Sequence, residues 1–225
     1  MKELLPSCLL APEPVACDPA RTKLLKRGRR LLEPDVYQTC LDGRPAVVKD
    51  YTRYRHTPLS LPARLLVRRE ARMLRRLNGW RHAPALLGTL GSLALGMEYV
   101  HGQTLSECAH QVGREVFDQL QYALQRLHAA GITHNDLHGT NVLISAGVPV
   151  LIDFTAAWQA PRWLRESFIA RQLRRGDQAN LLKLRQRLLG VAPSEAQRAA
   201  VAEPAWIRRL RGGWKRVYRR FKRAG

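Results

Sequence analysis

The sequence predicts an α+β fold in which a sheet-rich first half precedes a helical second half. Two observations lead to this prediction. Short apolar runs separated by turn residues are typical of strands, and they recur in the first half of the chain. Apolar residues at helical spacing among many arginines follow residue 154. With 225 residues, 45% of them hydrophobic, the chain is long enough for one or two small cores.

The first half contains a predicted hairpin, a helix and two strands. The hairpin spans Tyr37 to Asp50, because Asp42-Gly43 is a strong turn signal and an apolar, partly β-branched run leads into Lys49. A helix is predicted from Leu61 to Leu77. Its recurring apolar residues are Leu65, Leu66, Met73, Leu74 and Leu77. Two short strands are expected between Leu86 and Leu95, and Met97 to Gly102 is expected to be a connector.

The second half begins with a predicted helix from Val116 to Ala130, which Gly131 ends. A second hairpin follows, formed by Asn141 to Ile144 and Val148 to Ile152. Beyond Phe154 we expect the chain to be helical to its end. The expected organisation is an irregular segment at 1–20, a sheet-rich lobe at 21–100, a helical lobe at 101–205 and a basic tail at 206–225.

The charge of the chain is strongly positive. Thirty-eight Lys and Arg oppose eighteen Asp and Glu, a formal net charge of +20. Such a balance favours nucleic acid, anionic membranes or phosphorylated substrates as partners. Prolines interrupt the apolar N-terminal stretch, and no run reaches the roughly 20 apolar residues of a membrane span. The four cysteines lack the spacing of a metal or redox motif, so we expect free thiols and a cytoplasmic protein.

The segment from His134 to Ile144 carries the strongest chemical signal. It places Asp136 in a loop after a predicted buried helix, and Asn141 opens the next strand. Asp153 follows the second strand of that hairpin and precedes Phe154. A hairpin with Asn141 at its entry and Asp153 at its exit brings both side chains to one edge, beside Asp136. Phosphoryl transfer to a hydroxyl needs a carboxylate at the acceptor and oxygen ligands for Mg²⁺.

This pattern resembles the protein-kinase superfamily, in which a catalytic Asp is followed five positions later by Asn and then by a metal-binding Asp-Phe. The resemblance implies a two-lobed protein-kinase-like fold with a reduced helical C-lobe, ATP and Mg²⁺ as cofactors, Asp136 as the catalytic residue, and Asn141 and Asp153 as metal ligands. It also implies that Lys49 holds phosphates and that Glu70 positions this lysine. Further positions carried over from the family bind the adenine, namely Met97 as gatekeeper, the backbone carbonyl of Glu98 and the backbone N–H of Val100.

Departures from the kinase pattern narrow the resemblance. The glycine-rich nucleotide loop is missing, and the segment from Glu33 to Tyr37 resembles the nucleotide loop of the atypical RIO kinases, which places Val36 at the nucleotide. His138 stands where serine/threonine kinases usually carry Lys, and Asp-Leu-His is similar to aminoglycoside phosphotransferases and lipopolysaccharide-core kinases. We therefore count His138 among the predicted cofactor-binding residues. Thr155 replaces the glycine after Asp-Phe, and Asn135 replaces the usual Arg.

Less specific interpretations remain open at this point. Asp136 and Asn141 are also common loop residues, and Glu70 could pair with basic residues along its own helix. The tail from Trp206 to Gly225 has nine basic residues, no acid and helically spaced aromatics. It could pack on the C-lobe, bind an anionic membrane surface or, as a weaker alternative, bind nucleic acid.

The predicted function is ATP-dependent transfer of the γ-phosphate to a hydroxyl. A lipopolysaccharide-core or other envelope sugar is the first choice of acceptor, and it would place the protein in the cytoplasm, peripherally on the inner face of the membrane. A RIO-like serine/threonine protein kinase is the first alternative. A non-catalytic nucleotide-binding scaffold on membrane or RNA is the second.

Overall fold

The computed structural model describes residues 22–202 and begins with a five-stranded antiparallel sheet. Its strands lie in the order β1-β2-β3-β5-β4. They are β1 (Lys23–Lys26), β2 (Asp35–Leu41), β3 (Arg44–Asp50), β4 (Leu86–Leu90) and β5 (Ala94–Glu98). The predicted first hairpin is confirmed: Asp42 and Gly43 have φ of 49° and 73°, as a tight hairpin turn requires.

Helix α1 (Ser60–Arg76) follows the first three strands and packs on β4 and β5. Its buried side chains are Ala63, Val67, Glu70, Ala71, Met73 and Leu74, which recur at helical spacing. Five arginines of the helix are exposed, at positions 68, 69, 72, 75 and 76. Leu65 was expected on the buried stripe but is exposed, because its neighbours Val67 and Ala63 occupy the face that meets the sheet.

The expected connector after the sheet begins later than predicted. Strand β5 continues through Met97 and Glu98, whose partners on β3 are Val47 and Ala46. The pairing with β3 extends the strand because each backbone group there gains a ladder partner. The chain leaves the sheet at Tyr99 and enters the second lobe at β6 (Gln103–Thr104).

The second lobe is built on α2 (Arg114–Ala129) and α3 (Phe168–Leu189), which pack against each other. Short strands carry the loops between them. They are β7 (Ile132–Thr133), β8 (Val142–Ser145), β9 (Val148–Leu151) and β10 (Trp158–Gln159). The predicted second hairpin is confirmed as β8–β9, with its turn at Ala146 and Gly147. A last helix, α4 (Glu195–Val201), begins with a capping box at Ser194.

The prediction of continuous helix after Phe154 is wrong for residues 154–167. This stretch contains two 3₁₀ turns and strand β10, which pairs with β7. Pairing with β7 holds residues 158–159 extended, so local helical spacing does not decide the structure there. The irregular segment at 1–20 and the basic tail at 206–225 lie outside the described residues.

One hydrophobic core runs through both lobes, from Tyr51 and Leu95 beside the sheet to Phe117, Leu124 and Phe154 in the second lobe. Cys108 keeps its thiol, which is buried and donates to the carbonyl of Thr104 at 3.3 Å. Cys40 is disulfide-bonded, which corrects the expectation of free thiols. Sequence spacing misses such a bond because the fold can bring distant thiols together. No helix in residues 22–202 combines the length and apolar character that a bilayer span requires.

Candidate active site

Lys49 lies at the centre of a three-residue ion-pair cluster. Its ammonium Nζ is 2.7 Å from Oε1 of Glu70 on α1 and 2.8 Å from Oδ1 of Asp153, which follows β9. The side chains of Lys49 and Glu70 are only 9% and 2% exposed. The structure thus brings together three residues whose proximity was predicted from motif order.

Electrostatics hold this cluster in its charged form. Burial lowers the pKa of Lys49, but the carboxylates of Glu70 and Asp153 outweigh burial and raise it. Burial raises the pKa of Asp153, and Lys49 and Thr155 more than compensate, so this pKa falls to about 2. The lysine is therefore a fixed cation, and the carboxylate of Asp153 is a fixed anion, over the physiological pH range.

Helix α1 is tied to the segment that follows Asp153. The hydroxyl of Thr155 is 3.1 Å from Oε2 of Glu70 and 2.6 Å from Oδ1 of Asp153. Arg69 donates to the backbone carbonyls of Ala156 and Ala157, each at 2.9 Å. Thr155, which departs from the kinase pattern, thus bridges the two carboxylates. These contacts fix the position of α1 and so help to hold Glu70 against Lys49.

The catalytic loop brings Asp136, His138 and Asn141 together. The amide Nδ2 of Asn141 donates to Oδ2 of Asp136 at 3.1 Å and to its backbone carbonyl at 3.0 Å. Nε2 of His138 is 3.4 Å from Oδ2 of Asp136 and 3.1 Å from Nδ2 of Asn141. Asp136 is half exposed, so its carboxylate is both positioned and accessible to an acceptor. His138 accordingly lies beside the predicted catalytic residue.

Asp177 on α3 braces the catalytic loop from below. Its carboxylate accepts the backbone N–H groups of His134 and Asn135, both at 2.8 Å, and contacts Nε2 of His128 at 3.0 Å. Asn135 has a φ of 64°, a conformation that asparagine tolerates better than most residues. Its side chain donates to the carbonyl of Ala156 at 3.0 Å, so it joins the catalytic loop to the segment after Asp153.

The ring of His134 has a supporting role in the same loop. Its Nε2 lies 3.1 Å from the carbonyl of Ile152, and the ring packs on Phe154. Burial lowers the pKa of His134, so the imidazole is neutral and Nε2–H donates this bond. His134 therefore braces the backbone of this loop.

The donor atoms of Asn141 and Asp153 fit a magnesium ion. The backbone carbonyl of Asn141 accepts the N–H of Ile152 at 3.0 Å, which places Asn141 beside Asp153. Because the amide N–H₂ of Asn141 is directed at Asp136, its side-chain oxygen is the atom available to a metal. Within residues 22–202 no cluster of three His, Cys, Asp or Glu side chains forms a metal site. Two oxygen ligands completed by phosphates and water are what Mg²⁺ commonly uses beside nucleotides.

Three residues predicted at the nucleotide lie on one sheet face. Val36 is the cross-strand partner of Lys49, and Met97 is the partner of Val47, two positions before Lys49. Since side chains alternate along a strand, Val36, Lys49 and Met97 share a face. Glu98 instead turns its carboxylate to the N–H of Ala85 at 3.0 Å, and Val100 lies in the connector after β5.

The sequence model of the RIO domain matches residues 39–175, well over half of the chain, and this range contains every ion pair of the Lys49 cluster and the whole catalytic loop. The chain belongs to the RIO domain family. The match begins after Val36, so the nucleotide loop lies outside it.

Relatives of this RIO domain protein include two archaeal proteins named as probable bifunctional tRNA threonylcarbamoyladenosine biosynthesis proteins. The protein of Methanothermobacter thermautotrophicus is 32% identical over 127 residues, which cover 54% of this chain and 23% of the relative. That of Methanospirillum hungatei is 30% identical over 119 residues, which cover 52% of this chain and 22% of the relative. The RIO domain protein thus matches less than a quarter of the length of each.

A solved structure supports the kinase-like fold of the RIO domain protein. The Rio2 kinase–ADP/Mg²⁺–phosphoaspartate complex from Chaetomium thermophilum superimposes with a TM-score of 0.59. The alignment covers 81% of this chain and 60% of the other, at 17% sequence identity. The likeness confirms the predicted two-lobed kinase-like fold.

The RIO domain protein has a braced loop between β1 and β2, where glycine-rich kinases cover the nucleotide. The backbone N–H groups of Arg29 and Arg30 donate to Oε2 of Glu33 at 2.8 and 2.9 Å. Lys26 pairs with Oε1 of Glu33 at 2.7 Å, and this bond, with the two backbone N–H groups, lowers the pKa of Glu33 to about 2. From the other side, the guanidinium of Arg53 donates to the carbonyls of Gly28 and Glu33. Side chains thus give the loop its shape.

Sequence reasoning on the RIO domain protein missed four supporting residues: Arg53, Arg69, Thr155 and Asp177. Thr155 and Asp177 are small polar or acidic residues with no local motif of their own. A signal existed for Asp177, because a lone acid among the arginines of an apolar-faced helix is a candidate for a buried role. Arg53 and Arg69 offered no comparable signal among 38 basic residues.

Proposed function

We propose that this RIO domain protein is a phosphotransferase that uses ATP and Mg²⁺ to phosphorylate a serine or threonine hydroxyl of a protein. The observation that supports it most directly is the Lys49 cluster, in which one buried ammonium lies within 2.8 Å of both Glu70 and Asp153. Such a cation matches the phosphates of a nucleotide, and Asp153 beside it matches a metal ion.

Each site residue has a distinct role in this proposal. Bound ATP with Mg²⁺ would supply the γ-phosphoryl group and an electrophilic environment for its transfer. Lys49 binds phosphate oxygens and is oriented by Glu70. Asn141 and Asp153 hold the metal, and Asp136 orients the acceptor hydroxyl and accepts its proton. The bonds from Asn141 to Asp136 keep the metal ligand and the base in register.

The protein acceptor is favoured over the envelope sugar by the family. The RIO domain match and the fold of the Rio2 kinase support the protein-kinase alternative better than the lipopolysaccharide-core acceptor, which stays a prediction. The location in the cytoplasm, with peripheral membrane attachment through 206–225, stays a prediction too.

A second candidate function is nucleotide turnover in the service of a tRNA-modifying enzyme. It is favoured by the names of the two relatives, which are 32% and 30% identical to this chain over about half of its length. The activity would use the same Lys49, Asp136 and Asp153, with water or an assembly partner in place of the protein hydroxyl.

The test is incubation of the full chain with γ-labelled ATP and Mg²⁺, alone and with fractionated cell extract. We expect ADP formation and label in the protein fraction. Asp136→Asn should lower the rate at least ~100-fold, because general-base catalysis commonly contributes that much. Asp118→Asn is the matched control, since this exposed aspartate on α2 lies outside the site.

Other outcomes separate the alternatives. ADP and free phosphate without labelled protein would favour the second candidate. Label in lipid-linked sugar would restore the envelope acceptor. Nucleotide binding without any ADP formation would replace the proposal with a non-catalytic scaffold.

A further inference from the structure

A second concave site lies on the C-lobe, away from the Lys49 cluster. A cavity of about 590 Å³ opens between α2, α3 and α4. Four arginines and four glutamines line it, and none of its lining residues is acidic. The arginines are Arg171, Arg174, Arg175 and Arg185. We call this cavity the arginine groove.

The arginine groove is a property of one face of α3. Its arginines, together with Gln178 and Leu182, recur along the helix at intervals of three and four residues, so they form a single stripe. Asp177, which braces the catalytic loop, lies about a quarter-turn away around the same helix. The helix therefore supports the catalytic loop with one face and presents cations with another.

The positive charge of the groove is only partly balanced. Arg174 is 3.2 Å from Glu166, and Arg185 is 3.8 Å from Asp118. Arg171 and Arg175 have no carboxylate within 4.0 Å in the part of the chain from 22 to 202. Converging like charges on a concave surface raise the local potential, because low-dielectric walls focus the field.

The guanidinium groups are also partly desolvated. The side chains of Arg174 and Arg185 are 23% and 22% exposed. Nε of Arg185 is buried and has no hydrogen-bond partner within residues 22–202. A buried donor without a partner is costly, so an acceptor from outside this part of the chain would stabilise it.

A smaller cavity extends the same surface. It has a volume of about 270 Å³, shares Leu182, Arg185 and Gln197 with the groove, and adds Arg114. No acidic residue lines this cavity either. Arg185 thus stands between two cavities that both present cations.

We propose that the arginine groove binds a compact anion with several phosphate groups, at a site separate from the nucleotide cleft. Guanidinium groups match phosphate oxygens with paired donors, and the glutamine amides add neutral donors. The volume lies within the ~300–1,000 Å³ of ordinary small-ligand sites, which favours a compact ligand over an extended strand of nucleic acid.

Calorimetry with inorganic tripolyphosphate tests this site. The titration uses the full chain in EDTA, so that metal-dependent binding in the nucleotide cleft is suppressed. The double variant Arg171→Gln/Arg175→Gln should weaken binding at least tenfold. Neither arginine has an ion-pair partner in residues 22–202, so its removal leaves no carboxylate unpaired. The matched control is Arg72→Gln/Arg75→Gln, which removes two exposed arginines of α1 and should leave binding unchanged.

Two further arms make the result decisive. Lys49→Met should retain tripolyphosphate binding. If Lys49→Met instead abolishes binding while Arg171→Gln/Arg175→Gln retains it, the anion binds in the nucleotide cleft and the proposal is overturned. A 20-nucleotide RNA is titrated in parallel. RNA binding that depends on Arg171 and Arg175, without tripolyphosphate binding, would overturn the compact ligand, and so would the absence of any binding by the wild-type chain. Arg171→Gln alone is used if the double variant does not fold, with a weakening of at least threefold expected.

Discussion

The hydroxyl of Thr155 lies 3.1 Å from Oε2 of Glu70, a residue of another lobe 85 positions earlier in the chain. The hydroxyl oxygen of Thr155 is also 2.6 Å from Oδ1 of Asp153. A threonine in place of the usual glycine therefore couples the helix that orients Lys49 to the loop that carries the predicted metal ligand. The position of α1 depends on a residue that the kinase resemblance identified only as a departure.

Replacing Thr155 by Val should lower kcat by about tenfold or more, since a hydrogen bond to a charged group is worth about 1.5–3 kcal/mol. Valine keeps the shape of the side chain and removes its hydroxyl. Thr155→Ser keeps the hydroxyl and should retain most of the activity. Steady-state kinetics with ATP measures both variants. Equal rates for the valine and serine variants would show that the bridge does not contribute.

Replacing Glu70 by Ala should destabilise the protein by about 3–5 kcal/mol, because it leaves the buried Lys49 with one partner fewer. Urea unfolding measures the loss. Glu166→Ala is the control: its side chain is 81% exposed and pairs with Arg174, so we expect a change of at most ~1 kcal/mol. A similar stability for the two variants would contradict a buried structural pair at Lys49.

We expect the folded protein to lose stability in acid because Asp153 becomes protonated. Its pKa in the folded protein is lowered to about 2 from 3.8, so the folded state favours the ionised form. This contribution is fully present above the unfolded pKa and disappears as the pH falls from about 4 through 2. Asp153→Asn should flatten the dependence of unfolding free energy on pH in this window. Urea titrations at several pH values test it, and an unchanged slope would argue against the pairing with Lys49.

The loop between β1 and β2 has no room for a side chain at Gly28. A Cβ atom at this position would collide with the carbonyl of Glu33 and lie 2.8 Å from that of Pro34. Gly28→Ala should therefore distort the loop and raise the KM for ATP severalfold. Gly176→Ala is a contrasting control, since it lies inside α3 with open space around it. That variant should stabilise the protein by about 0.5–1 kcal/mol and leave KM unchanged. Thermal melts and ATP kinetics separate the two effects.

Motif order in the sequence predicted which charged residues meet, because the resemblance to kinases assigns each motif residue a place beside the others. Lys49, Glu70 and Asp153 are 21 and 83 residues apart in succession, yet the structure places them in contact as the motif implied. Both hairpins and both long predicted helices are also present, since turn residues and apolar spacing are local signals. The adenine contacts assigned to Glu98 and Val100 remain predictions.

Local pattern failed where partners are distant in sequence. The segment 154–167 was predicted to be helical, but it contains two 3₁₀ turns and strand β10, which pairs with β7. Leu65 has helical spacing yet lies on the exposed side of α1. In both cases the neighbouring lobe or sheet determines the outcome, and a single sequence contains no record of that neighbour.

The order of residues in this chain was sufficient to predict that Lys49, Glu70 and Asp153 meet, because turn chemistry, apolar spacing and motif order are properties of the polypeptide itself. The braces around that site depended on folding: Asp177 under the catalytic loop, Arg53 on the nucleotide loop and Thr155 between two carboxylates. Each is a hydrogen bond between segments that meet only when the core closes. A hydrogen bond depends on the distance and angle between donor and acceptor, and the tertiary structure sets both.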